Sequence, residues 1–364
     1  MSLRTIGSQI LTSPGLRQFN RAARAGLRRL AGRPRTLHAF LETGEPYSEA
    51  LAHALPPLCD RYGLELHIHP VGPPSAAAAP EPEKLRAFAE RDAQALCREY
   101  GLPTGIPGAL PAGADTQPGE RLRARLGHYA SGAVWFEGEW YTGLDRLHYL
   151  ETRLGATADT LLYPPPAEPE RAEGGQVDMY FSLRSPYSYL ALMRIEALAR
   201  RWQADVRLRP VLPMVMRALP VPPAKRLYIV RDCKREAERL GLPFGRIEDP
   251  VGPGVERGLA CFYHAERRDG GLEFLRSFAR GVWAEGIDAA SEAGLHRIAA
   301  RAGMSGNEVR QALADETWRE TVEHNRAALF GAGLWGVPSF VVGERATFGQ
   351  DRLWQVGRWL QKTG

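Results

Sequence analysis

Apolar positions alternate with polar ones in a few short stretches and recur at helical spacing through most of the remaining chain. In residues 177–181, Val177, Met179 and Phe181 share one face of a strand, with Tyr180 between them. Ser182 to Ser185 lack that pattern and read as a tight turn. Tyr187, Leu190, Ala191 and Ile195 then recur at helical spacing, and Pro186 stands where a helix begins. Ser185 is thereby placed as the N-cap of this helix. Free backbone N–H groups and the positive end of the helix dipole favour an anion or a thiolate there, although serine N-caps are common without any ligand.

A similar pattern opens the first half. Leu37 to Leu41 read as a strand and Tyr47 to Tyr62 as a helix, with Pro56 and Pro57 expected to kink or split it. Leu64, Leu66 and Ile68 alternate with His67 and His69 in a second strand. Two histidines on one strand face, with no further ligand in view, read as a polar face rather than a metal site. A helix follows over Glu83 to Tyr100, irregular chain over 101–119, and a short basic helix over Arg121 to Leu126. Ala133 to Tyr141 reads as a hairpin turning at Glu137-Gly138-Glu139, and Asp145 to Leu154 as a closing helix. Residues 163–176, proline-rich and then glycine-rich, form the best linker. Beyond it, Asp205 to Val211 is a strand and residues 212–330 are nearly all helical. The chain returns to β structure from Ser339 to Phe348 and ends in a helix from Asp351 to Leu360.

The two halves repeat one another. At a constant offset of 140 positions, Pro46, Tyr47 and Ser48 match Pro186, Tyr187 and Ser188, and Pro70 and Val71 match Pro210 and Val211. Gly143, Asp145 and Leu147 match Gly349, Asp351 and Leu353, once two single-residue shifts are allowed. The shared order predicts two copies of a β-α-β, helical insertion, β-β-α unit. Glu45 then replaces Ser185 in the first copy, and Val134 replaces Pro338. The expected organisation is a basic helical arm over 1–35, a first domain over 36–162, the linker over 163–176, and a second domain over 177–364.

Composition narrows the partners. At 364 residues with net charge +5 the chain is long enough for two domains and mildly basic. No basic stripe interleaved with aromatics argues for nucleic acid, and no apolar run predicts a transmembrane segment. Arg17, Arg21, Arg24 and Arg28 recur at helical spacing in the arm, which reads as a solvated amphipathic helix on the body, a contact for an acidic membrane surface, or a segment resembling an organelle transit peptide. Cys59, Cys97, Cys233 and Cys261 form no C-x-x-C pair. Buried thiols in a reducing, cytoplasmic compartment are expected.

With these elements, the second half resembles a thioredoxin-type fold of the DsbA-like kind. Ser185-Pro186-Tyr187-Ser188 occupies the place of that family's Cys-x-x-Cys, and Gly336-Val337-Pro338-Ser339 resembles its cis-proline loop. The Ser-Pro-x-Ser start, the helical insertion and Phe348 to Leu353 are similar to a branch holding kappa-class glutathione transferases and 2-hydroxychromene-2-carboxylate isomerases. Gly281 to Ile287 also resembles the isomerases. The implied fold class is α/β, two tandem thioredoxin-like domains with helical insertions. The resemblance implies glutathione as co-substrate, with Ser185 holding its sulfur as thiolate. It implies that Val337 and Pro338 take the peptide backbone and that Asp351, beside Gln350, takes the γ-glutamyl amine. Arg184, Tyr187, Asp249 and Trp335 are weaker candidates for contact with a small-molecule electrophile. Glu248-Asp249-Pro250 departs from the family's substrate loop.

Two functions follow as expectations. One is a glutathione-dependent isomerase or transferase acting on a small hydrophobic electrophile; such a protein could also form a homodimer. The other is a catalytically silent DsbA-like binding module, an oxidoreductase by fold only. Dithiol exchange is excluded by the missing thiol pair.

Overall fold

The structure, a computed structural model, describes residues 3–104 and 113–361. Part of the stretch expected to be irregular, 105–112, lies outside the described residues. By their contacts the residues divide into two compact units. One comprises 14–167 with 221–228; the other comprises residues up to 13, 168–220, and those from 229 onward. The arm expected over 1–35 consists of two helices, Leu3–Leu11 and Pro14–Leu30, that belong to different units.

Each unit has a four-stranded sheet. The first contains β1 (Thr36–Leu41), β2 (Glu65–Pro70), β3 (Ala133–Phe136) and β4 (Glu139–Thr142), in the order β2-β1-β3-β4. The second contains β5 (Gly175–Phe181), β6 (Ala204–Pro210), β7 (Ser339–Val342) and β8 (Arg345–Phe348), in the order β6-β5-β7-β8. In each sheet the first two strands are parallel and the other pairings antiparallel. A parallel pair needs a crossover, supplied by the helices Pro46–Tyr62 and Pro186–Trp202.

Two expectations are corrected. The first crossover helix runs unbroken through Pro56 and Pro57, which lie on its exposed side, while Leu55 and Leu58 are fully buried. Burial of the opposite face outweighs the lost hydrogen bonds. The strand register also removes the two shifts assumed between the halves. Ala39 pairs with Val134 and Met179 with Phe340, so Val134 corresponds to Phe340. Continuing that register, the residue at the place of Pro338 is Gly132, not Val134.

The core of the second unit is aromatic. Phe181, Phe262, Phe274, Phe278 and Phe340 are all 0% exposed. Each such side chain contributes about 1.5–3 kcal/mol by leaving water. Leu183, in the turn after β5, is also buried in this cluster. The turn that presents Ser185 is therefore anchored to the core from below.

Candidate functional site

Ser185 has extended backbone angles and caps the helix Pro186–Trp202. The N–H of Ser188 donates to its Oγ at 3.1 Å. The same hydroxyl donates to the carbonyl of Val337 at 3.3 Å. The Val337–Pro338 bond is cis. Two segments 152 positions apart thus meet at one hydroxyl. The bond to Val337 is long for an O–H donor, so an incoming anion could take that proton at small cost. Ser188 is fully buried and accepts from the N–H of Ser182 at 3.3 Å, which closes the turn.

Arg184 and Asp249 form a bidentate pair, both contacts at 2.7 Å, immediately before Ser185. The pair ties the loop 243–250 to the turn. The helix Leu3–Leu11 packs against the same loop: Thr5 donates to Glu248 at 2.9 Å, and Ser8 donates to the Gly245 carbonyl at 2.9 Å while accepting from the Ile247 N–H. Sequence reasoning missed Thr5 and Ser8, because nothing local links the chain start to a loop more than two hundred residues on.

The remaining candidates have defined partners. Tyr187 donates to Asp232 at 2.8 Å, and Asp232 also accepts from Arg235 at 2.8 Å. Gln350, 1% exposed, donates to Glu236 at 2.7 Å and accepts from Arg194 at 2.9 Å. Its side chain is committed to this network. Burial depresses the Arg194 pKa to about 10. The Asp351 carboxylate lies 3.4 Å from Arg352 at the start of the last helix. Trp335 is half-buried two residues before Val337. Ser185, Val337, Pro338, Arg184 and Asp249 are thus linked by direct contacts.

The first unit offers a control for three of these features. Tyr47 donates to Asp92 at 2.8 Å, as Tyr187 does to Asp232, again 140 positions apart. Ser48 accepts from the Glu42 N–H at 3.1 Å, as Ser188 does from Ser182. Asp145 pairs with Arg146 at 3.1 Å, as Asp351 does with Arg352. What differs is the centre. Glu45 accepts from the N–H groups of Tyr47 and Ser48 at 3.0 and 2.7 Å, and from the Ser48 hydroxyl at 2.6 Å. Its carboxyl fills the anion position of that helix with a group of the chain itself. Desolvation outweighs these bonds and raises its pKa. Gly132 has φ +62, and a Cβ there would lie 3.0 Å from Glu45 Oε2.

The four cysteines are buried. Desolvation pushes the thiol of Cys59 to about 11 and that of Cys261 to about 12, and raises Cys97. These three thiols stay protonated at neutral pH. Among the described residues there is no cluster of three or more acidic, histidine or cysteine side chains able to hold a metal, and no helix long and apolar enough to cross a membrane.

Comparison with known proteins agrees with this geometry. The profile of the DSBA-like thioredoxin domain matches residues 176–361. The chain belongs to the DSBA-like thioredoxin family. Within it, a 2-hydroxychromene-2-carboxylate isomerase of Pseudomonas putida is 26% identical over 188 residues, which are 50% of this chain and 91% of that protein. The same enzyme from Sphingobium xenophagum is 24% identical over 187 residues, 49% of this chain and 93% of that protein. Among solved structures, a 2-hydroxychromene-2-carboxylate isomerase is 23% identical with TM-score 0.44, covering 51% of this chain and 94% of that one. The cytosolic disulfide reductase DsbM of Pseudomonas aeruginosa is 22% identical with TM-score 0.41, covering 51% and 95%. All four likenesses take in about half of this chain. Unlike a dithiol oxidoreductase, this member of the DSBA-like family has serine at both 185 and 188.

Proposed function

We propose that the second unit binds glutathione and uses it to isomerise, or transfer it to, a small hydrophobic electrophile. The observation that carries this reading is the Ser185 hydroxyl at a helix N-terminus, 3.3 Å from the carbonyl that precedes cis-Pro338, in a site with no cysteine at 185 or 188. Glutathione would supply the nucleophilic sulfur that this site lacks. Ser185 would donate a hydrogen bond to that sulfur and the helix N-terminus would favour its negative charge, so that the thiol gives up its proton to solvent below the ordinary pKa of about 8.5. Val337 would align the peptide backbone, and Asp351 would accept from its amine. Arg184 is paired with Asp249 beside this centre. The isomerase names of the relatives support the class of reaction. The first unit, with equal strand order and register, is read as a second thioredoxin-like copy whose site Glu45 has closed.

The alternative, a silent binding module, is favoured by one observation: the Ser185 hydroxyl already has both a donor and an acceptor within the chain. Thermal unfolding with rising glutathione separates the two. The enzyme reading expects millimolar glutathione to raise the melting temperature of the wild type, and Ser185→Ala to weaken that shift. A wild type indifferent to glutathione would sink it.

A further inference from the structure

The helix Pro14–Leu30 is docked with its charged side inward. It has no buried residue. Its attachment to the first unit runs through arginines that clasp the turn between β3 and β4. Arg21 contacts Glu139 at 2.6 and 2.7 Å, and Arg28 contacts Glu137 at 2.7 Å. Arg24 lies against Gly138, where a Cβ would meet its Nε at 2.5 Å. The opposite stripe is apolar and open to solvent: Leu16 is 43% exposed, Phe19 68%, Leu27 67% and Leu30 88%. A helix that merely covers the body would bury this stripe and expose its arginines. Here the polarity is inverted.

We infer that this stripe is a docking surface for an anionic lipid bilayer. Charge decides the occupant. The helix carries Arg17, Arg21, Arg24, Arg28 and Arg29, and no acidic residue precedes Glu42. A second copy docked on this stripe would bring the exposed Arg29 of each copy near the other with no acidic residue of the helix to pair it, which disfavours self-association through this face. An anionic membrane supplies what the stripe lacks. Phe19, Leu27 and Leu30 would enter the boundary between headgroups and acyl chains, and the exposed Arg29 beside them would meet the headgroup phosphates. The helix would lie in the interface rather than span it.

The test is sedimentation of the full chain with phosphatidylcholine vesicles, with and without phosphatidylglycerol. The expected result is binding to the anionic vesicles, weakened by salt, and reduced at least ~10-fold by the double variant Phe19→Glu, Leu27→Glu. Both positions are exposed, so the variant should fold, and circular dichroism checks that. Equal binding by wild type and variant would overturn the proposal, since arginines alone would then suffice. Absence of vesicle binding would overturn it as well. So would a dimer in light scattering that the double variant dissolves, which would assign the stripe to a second copy.

Discussion

Ser185 sits where three contributions converge: the first N–H groups of a helix, a hydroxyl proton it can redirect, and the carbonyl beside a cis proline. Replacing it by alanine removes the cap and should cost about 1 kcal/mol in urea unfolding. Ser185→Cys should yield a thiol titrating below the ordinary range of about 8.5, measured by the pH dependence of alkylation, because the helix N-terminus favours the thiolate. The buried cysteines should stay unreactive in the same experiment. Tyr187 and Tyr47 belong to a different category. Each donates to a buried aspartate, and the pair occurs in both units, so it serves the fold. Tyr187→Phe and Tyr47→Phe should each cost about 1–2 kcal/mol in unfolding, with little effect on glutathione binding. A large loss of binding in Tyr187→Phe alone would place that hydroxyl in the site.

The elements around Ser185 were readable to different depths. The alternation of Val177, Met179 and Phe181 and the Pro186 start were enough to define strand, turn and helix, because period and turn chemistry are local. The register of β3 and β7 was not, because strands of four residues offer too few positions to exclude a one-residue slip on paper. Backbone pairing does not, and it assigns Gly132 to the cis-proline place. Gly132→Ala should destabilise the protein by about 1–2 kcal/mol, since φ is positive there and the new Cβ meets Glu45. The Tyr–Asp pair was within reach of the sequence: Asp92 and Asp232 stand at the same offset of 140 as the matched prolines. The loop 243–250 was not, because its anchors, Arg184, Thr5 and Ser8, are remote in sequence. Asp249→Asn should speed hydrogen exchange of that loop several-fold, leaving the core strands unchanged, by weakening a charge-assisted pair.

At the scale of the whole molecule, the two units differ at the start of their crossover helices, with Ser185 in one and Glu45 in the other. The first unit should also be the acid-sensitive one. His38 is pulled down to about 4 by burial, helped by His69 and His67, and buried His128 to about 3. The unfolded chain takes up these protons near the ordinary value of 6.5, before the folded chain does. The stability they contribute is therefore complete above about 6.5 and is lost as pH falls toward 4. His38 contacts His69 at 2.9 Å, a link that no pattern within β2 could reveal. His38→Gln should flatten the dependence of unfolding on pH between those values, and an unchanged slope would assign the acid sensitivity elsewhere. The central claim, that Ser185 stabilises a borrowed thiolate, is tested most directly by the ultraviolet thiolate absorbance of glutathione bound at neutral pH. The account predicts a signal in the wild type and in Glu45→Ala, and none in Ser185→Ala. Bound glutathione that stays a thiol in the wild type would contradict it.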